Sequence, residues 1–348
     1  MAQSPQESNG SATNTPSESQ NDPLSELPRR EGWSQLLFLY KNFWFLRYPA
    51  ETIIQLQGSF NARPDDIILA SNPKCGTTWL KAAAFSITNR ACYGFDDYHP
   101  LLTHHPQELV PFIEIPWDGD LRYVETLPSP RLLSTHMPHS VLPNSVTERG
   151  CRIVYICRNP KDTFISWWHF QNKLLGPTDL DLAFSMFCEG FSPAGPFWDH
   201  CLEYWKQSIV RPDKVLFLKY DDMMAEPVEA IKKLAAFLGA PFTNEEEESG
   251  VPEEVVRLCS FEKLSGLEAN KTGVVSTMGM WALEKSWYFR RGKVGDWVNY
   301  LSEEMASKFD CILKEKLKDL VLSFDVCFPY VIANNATTLC CCLSRTYV

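Results

Sequence analysis

The chain has no N-terminal apolar stretch of the secretory kind, and no run approaching the roughly 18 apolar residues of a membrane-spanning helix. A soluble protein of the reducing cytoplasm, without stable membrane association, is the expectation. Positive charge is not in excess: the net charge is −10, so no broad basic surface suggests nucleic acid as a partner, although a local basic pocket remains compatible with it. Paired cysteines are scarce. Of twelve Cys, nine are scattered without C-x-x-C spacing, mostly in apolar runs such as 151–157, where a thiol behaves as a small hydrophobe. Neither a disulfide framework nor a metal site is expected. A Walker loop, G-x-x-x-x-G-K-[ST], is also missing. What is there is a chain of 348 residues with ordinary apolar and charged fractions, long enough to bury a sizeable core.

Three regions follow from composition. Residues 1–30 begin with Ser, Asn, Gln, Thr and Pro and almost no large apolar side chain, which cannot offset the entropy of ordering, so they read as a disordered tail. Residues 31–330 read as one domain. The remaining 331–348 form a tail containing Cys340, Cys341 and Cys342, three adjacent thiols that could be S-acylated or could be a plain appendage. Within the domain, the densely aromatic segment 35–45 reads as a cover on the substrate side, because that much exposed aromatic surface would aggregate.

The stretch that organises the domain is 65–81. A short apolar run at 67–70 suits a buried parallel strand; it breaks at Asn72-Pro73, passes Lys74, Cys75 and Gly76, and enters a helix-compatible segment at 77–88. A helix start presents unpartnered N–H groups and the positive end of the helix dipole, so Thr77, Thr78 and Lys74 are placed to hold a phosphate or sulfate. Here Lys74 precedes the glycine and an aromatic, Trp79, follows. A plain strand-turn-helix is the alternative.

Further apolar runs at 131–135, 151–157 and 214–218 alternate with helix-like segments, the pattern of an α/β fold with a central parallel sheet of about five strands and helices on both faces. Ligands of such sheets sit beyond the carboxyl ends of the strands. Each run has polar residues there. Thr135-His136 follows the first, and a lone His of this kind is either structural or a base. Arg158 follows the second with Ser166 about two helical turns into the next segment, an arrangement that suits a second phosphate unless Arg158 simply pairs with Asp162. Tyr220 follows the third and either flanks a ring or caps the core. Arg290-Arg291-Gly292-Lys293-Val294-Gly295 reads as a loop able to close on an anion, or as a solvated basic turn. A closing helix is expected at 302–322.

Taken together, Pro73-Lys74-Cys75-Gly76-Thr77-Thr78-Trp79-Leu80, Arg158 with Ser166, and Arg290-Arg291-Gly292-Lys293-Val294-Gly295-Asp296-Trp297 resemble the nucleotide-binding signatures of the cytosolic sulfotransferases. Thr135-His136 resembles their catalytic histidine segment. The resemblance runs in order from about residue 32 to 328, and the intervening wording is similar to the plant branch. It implies a P-loop-like sulfotransferase fold and transfer of a sulfuryl group from 3′-phosphoadenosine 5′-phosphosulfate (PAPS) to a hydroxyl of a small acceptor, with no metal. By the same resemblance, Lys74, Cys75, Gly76, Thr77 and Thr78 cradle the 5′-phosphosulfate; Arg158, Ser166, Arg290, Arg291 and Gly292 hold the 3′-phosphate; Trp79, Tyr220 and Phe261 surround the adenine. His136 is the implied base and Lys74 the acid or charge stabiliser at the bridging oxygen.

The sequence departs from the family at three points. Cys75 stands where many relatives have Ser, which sets a thiol beside positive charge. Ser134 stands where animal members carry a Lys. The animal dimer motif is not visible after Trp297, so a monomer is expected. Aromatic residues at 38–45, 93–98 and 281–288 suit a flat or hydrophobic alcohol or phenol: flavonoid, steroid or brassinosteroid, hydroxyjasmonate and desulfo-glucosinolate all remain open. A P-loop kinase and a catalytically silent binding protein are the competing classes; the missing G-K-[ST] opposes the first, and intact Lys74 and His136 oppose the second.

Overall fold

The computed structural model describes residues 22–95, 98–115, 120–278 and 281–316. It opens with an antiparallel sheet of β1 (Arg29–Gly32), β2 (Gln35–Tyr40) and β3 (Phe43–Leu46). Both connections are two-residue turns in which each residue has positive φ, Trp33-Ser34 at 54° and 58° and Lys41-Asn42 at 47° and 69°. Paired left-handed residues match the twist of the flanking strands, which is why such turns close tight hairpins. The aromatic segment expected as a cover is therefore a hairpin, fastened by the Trp33 indole N–H donating to the Phe191 carbonyl at 2.7 Å. Within the expected 1–30 tail, Leu24 is fully buried and the Arg47 guanidinium donates to the Asp22 carboxylate.

The chain continues through α1 (Arg47–Ser59), β4 (Ile67–Ser71), α2 (Thr77–Asn89), α3 (Pro106–Leu109), β5 (Leu132–Thr135), α4 (Asn144–Glu148), β6 (Arg152–Cys157) and α5 (Pro160–Leu174). There follow α6 (Leu180–Cys188), α7 (Phe197–Val210), β7 (Val215–Lys219), α8 (Tyr220–Ala225) and α9 (Pro227–Leu238). Strands β4 to β7 form one parallel sheet in the order β5-β4-β6-β7. Four strands take the place of the expected five, among the described residues. At the β5 edge the chain adds a single parallel bridge, Phe112 to Ser134, and Pro111 has no N–H with which to extend that ladder.

Alternation along the strands divides the core in two. Ile68, Ala70, Leu133, Ile153, Tyr155 and Val215 face the hairpin sheet, α1, α5 and α7, whereas Ile67, Leu69, Val154, Ile156 and Leu218 face α2 and α9. The near-continuous apolar runs of the sequence are what burial on both faces requires. At the amino-terminal edge of the sheet, the fully buried Arg131 donates to both oxygens of Asp66, at 2.8 and 2.6 Å. At the opposite edge, β4 and β6 are neighbours whose onward connections diverge, to β5 on one side and β7 on the other, so their carboxyl ends open a crevice. The last helix among the described residues, Glu303–Lys316, buries Ala306, Phe309 and Leu313 against α5 and α6. The end of the expected 302–322 helix and the tail with Cys340, Cys341 and Cys342 lie outside the described residues.

Candidate active site

The β4–α2 turn is built for close approach. Lys74 has φ of +70° and Gly76 of +108°, and a Cβ on Gly76 would lie 2.7 Å from Tyr220 Cδ2. Only glycine fits there. Gly76 is also the N-cap of α2 and offers no side chain to its first N–H groups, so these point into the crevice uncapped. Ser71 and Thr77 share a 2.6 Å hydroxyl contact beneath the turn. Lys74 Nζ rests 4.1 Å from the Phe170 ring centroid and 5.5 Å from that of Tyr288. Burial, followed by the cations of Arg290, Arg158 and Lys173, lowers its pKa to about 7.

Cys75 turns the other way. Its side chain is fully buried, with Sγ 3.6 Å from Thr163 Oγ1, and its N–H donates to the Asn72 carbonyl at 3.3 Å. Burial pushes the thiol up to about 12. The residue placed in the anion cradle by the sequence thus presents no reactive thiol to it; every other expected site residue lines the cavity described below.

His136, after β5, is held on three sides. Glu114 Oε1 accepts its backbone N–H at 2.6 Å, the His200 ring donates to its carbonyl at 3.1 Å, and its own Nδ1 lies 2.8 Å from the Ser71 carbonyl. A carbonyl only accepts, so Nδ1 carries the proton and Nε2 the free lone pair. Burial first, with Lys81, His200 and Lys74 adding, pushes the ring down to about 3, which keeps it neutral. Glu114 is pushed the other way, up to about 7, chiefly by burial. Ser134 donates to the Pro111 carbonyl and so faces the sheet edge.

The second cluster of cations sits at the end of β6. Arg158 stacks 4.8 Å from the Tyr220 ring centroid and donates to the Lys293 carbonyl at 2.6 Å. Asp162, one turn into α5, is 3.6 Å from that guanidinium; its main work is accepting the Gly295 and Trp297 N–H groups, at 2.7 and 3.0 Å. It is a latch joining α5 to the arginine loop, a role that the sequence reading missed. Arg290 and Arg291 are both paired to Asp296. Gly292 has φ of +60°, and a Cβ there would come within 2.4 Å of the Phe261 ring. Arg158 Nε and Arg290 Nε are buried donors with no partner among the described residues.

One cavity of about 350 Å³ runs across the whole crevice. It is lined by Lys74, Gly76, Thr77, Thr78, Trp79, His136, Arg158, Ser166, Tyr220, Phe261, Arg290, Arg291 and Gly292, which the structure brings together from six separate stretches. Its other half is apolar: Phe45, Leu46, Phe112, Phe170 and Trp287. Of the aromatic stretches expected there, 38–45 and 281–288 contribute; Tyr93 instead stacks on Phe85. Phe112, Glu114, Gln107 and Phe170 were not anticipated. Among the described residues no group of His, Cys, Asp or Glu has the arrangement of a metal site, and no helix is long and apolar enough to cross a membrane.

Residues 64–321 match the family described as Sulfotransferase domain. Cytosolic sulfotransferase 5 of Arabidopsis thaliana is 44% identical over 312 residues, covering 86% of this chain and 95% of that protein. Flavonol 4′-sulfotransferase of Flaveria chlorifolia is 43% identical over 317 residues, covering 88% and 97%. Among solved structures, an Arabidopsis thaliana putative steroid sulphotransferase aligns with a TM-score of 0.68 and 38% identity, over 86% of this chain and 93% of that one. Mouse sulfotransferase SULT7A1 complexed with PAP aligns at 0.64 and 28%, over 81% and 94%.

Proposed function

The chain belongs to the sulfotransferase family, and from that premise we propose that it moves a sulfuryl group from PAPS to a hydroxyl of a flat apolar acceptor, with His136 as the base. The observation that carries this reading is the joining, in one cavity, of two separate groups of cationic and N–H donors, around Lys74 and around Arg158 and Arg290, with a neutral histidine. The fit of the nucleotide rests on the chain itself: the Gly76 cradle that a Cβ would fill, and the unpartnered buried donors Arg158 Nε and Arg290 Nε.

Lys74, Thr77, Thr78 and the uncapped α2 N-terminus hold the 5′-phosphosulfate. Arg158, Ser166, Arg290, Arg291 and the Gly292 backbone hold the 3′-phosphate, and Trp79, Tyr220 and Phe261 flank the adenine. Cys75 shapes the turn without contributing its thiol. PAPS supplies the activated sulfuryl group. His136 Nε2 takes the proton of the acceptor hydroxyl as its oxygen bonds to sulfur, and Lys74 neutralises the charge left on the departing phosphate oxygen. Neutrality of His136 well below physiological pH keeps that lone pair free. The apolar wall of Phe45, Phe112, Phe170 and Trp287 suits a ring system of the flavonoid or steroid kind, in line with the flavonol and putative steroid enzymes among its relatives. The protein acts as a monomer on this reading.

The test is transfer of label from sulfur-labelled PAPS to a panel of flavonols, hydroxysteroids, hydroxyjasmonate and desulfo-glucosinolates. Labelled flavonol or steroid sulfate is expected; label in neither class overturns the acceptor assignment, and label in no product overturns the activity.

A further inference from the structure

Thr78 is backed by a buried polar chain that the reaction as described does not use. Its Oγ1 lies 3.3 Å from Gln107 Nε2, and Gln107 Oε1 accepts from Lys81 Nζ. Gln107 is on α3 and nearly buried, its backbone N–H accepted by His105 Nδ1 at 3.1 Å. Lys81 is three residues beyond Thr78 on α2, on the same helical face, fully buried, with Nζ 3.5 Å from the Phe112 ring centroid. A lysine in such a place is costly and calls for a reason.

The reason lies in the polarity of the amide. A glutamine side chain has one end that accepts and one that donates. Lys81 Nζ brings N–H to the oxygen end, and the NH₂ end faces Thr78. The Thr78 oxygen then receives a hydrogen bond from behind, and its single proton is left to point forward into the cavity. Reversing the amide would draw that proton backward and turn a lone pair toward any anion in the cradle.

We propose that Lys81 and Gln107 are positioning residues that fix the Thr78 hydroxyl as a hydrogen-bond donor to the anionic end of the nucleotide. This rests on the reading of the cavity as the PAPS site. Lys81 is buried behind the cavity and Gln107 lines it beside Thr78; both act through the Thr78 hydroxyl.

The decisive variant is Gln107→Glu, which keeps shape and keeps an oxygen on Lys81 but replaces the N–H donor facing Thr78 by an acceptor. Binding of PAP, measured by titration calorimetry, should weaken about tenfold, while the acceptor KM and the melting temperature of the free protein stay near those of the parent. The added charge alone could repel the nucleotide, so the same change is made in a Thr78→Val background. There the loss should shrink to threefold or less, because the hydroxyl through which the effect passes is gone. Gln107→Met, which is uncharged, should weaken PAP about threefold, again only when Thr78 is present; it also serves if Gln107→Glu does not fold. Undiminished loss in the Thr78→Val background, or unchanged binding in Gln107→Glu and Gln107→Met, overturns the positioning role. A parent protein that does not bind PAP at all overturns the reading of the site, and with it this one.

Discussion

On the proposed reading of the cavity, Lys74 makes nucleotide binding a protonation event. In the free protein, burial and three neighbouring cations hold its pKa near 7. An anion against the ammonium favours the charged form and raises the pKa well above that of the free protein. At pH 8 about one free molecule in ten carries the Lys74 proton, whereas nearly every bound one does, so PAP should take up about 0.9 proton on binding. Below about pH 6 the lysine is already charged and uptake vanishes; above pH 7, affinity should fall with a slope approaching tenfold per pH unit. Calorimetric titration with PAP at pH 8, in buffers of different ionisation enthalpy, measures the uptake as a slope. A phosphate monoester, with a second pKa of about 6, is fully ionised there and adds little. Glu114, held at about 7, is the competing proton acceptor. Lys74→Met separates the two: its slope should be close to zero. Equal heats in every buffer for the parent protein, or a slope that survives in Lys74→Met, would refute the argument.

Other outcomes follow from single contacts. Gly292→Ala puts a Cβ within 2.4 Å of Phe261 at a left-handed φ, so the loop must shift; PAP affinity should drop at least tenfold by calorimetry with little change in melting temperature. Asp66→Ala leaves the buried Arg131 guanidinium with Glu125 as its one carboxylate partner among the described residues and should cost about 2–3 kcal/mol in urea unfolding, with the midpoint falling and the slope unchanged. Cys75, buried and with its thiol at about 12, should resist iodoacetamide in the folded protein while the exposed Cys92 and Cys311 react, as peptide mapping would show.

How much of this was legible in the sequence depends on whether a residue's place is set locally. The four parallel strands were, since runs such as Ile67-Ile68-Leu69-Ala70 need burial on both faces and end at Ser71-Asn72-Pro73. So was the cradle, whose glycine and helix start are consecutive in the chain. The three-stranded sheet over 29–46 was not foreseen, and its 35–45 part was read only as an apolar cover, because its turns, Trp33-Ser34 and Lys41-Asn42, adopt left-handed φ without glycine. The direction of Cys75 depends on a turn with no periodicity to show which way a side chain points. Glu114 and Gln107 come from a segment of short, irregular structure, and only tertiary packing carries them to His136 and Thr78. Asp162 looked like a surface partner for Arg158 because the two N–H groups that it accepts lie more than 130 residues away.

The central claim is that His136, neutral and oriented by Ser71, removes the acceptor proton. It is tested most directly by His136→Ala, assayed for label transfer from PAPS and, in parallel, for PAP binding. The account predicts turnover reduced by about 10²–10⁴-fold with PAP affinity unchanged within about twofold, since the imidazole acts on the acceptor and not on the nucleotide. Turnover retained within tenfold of the parent would contradict it.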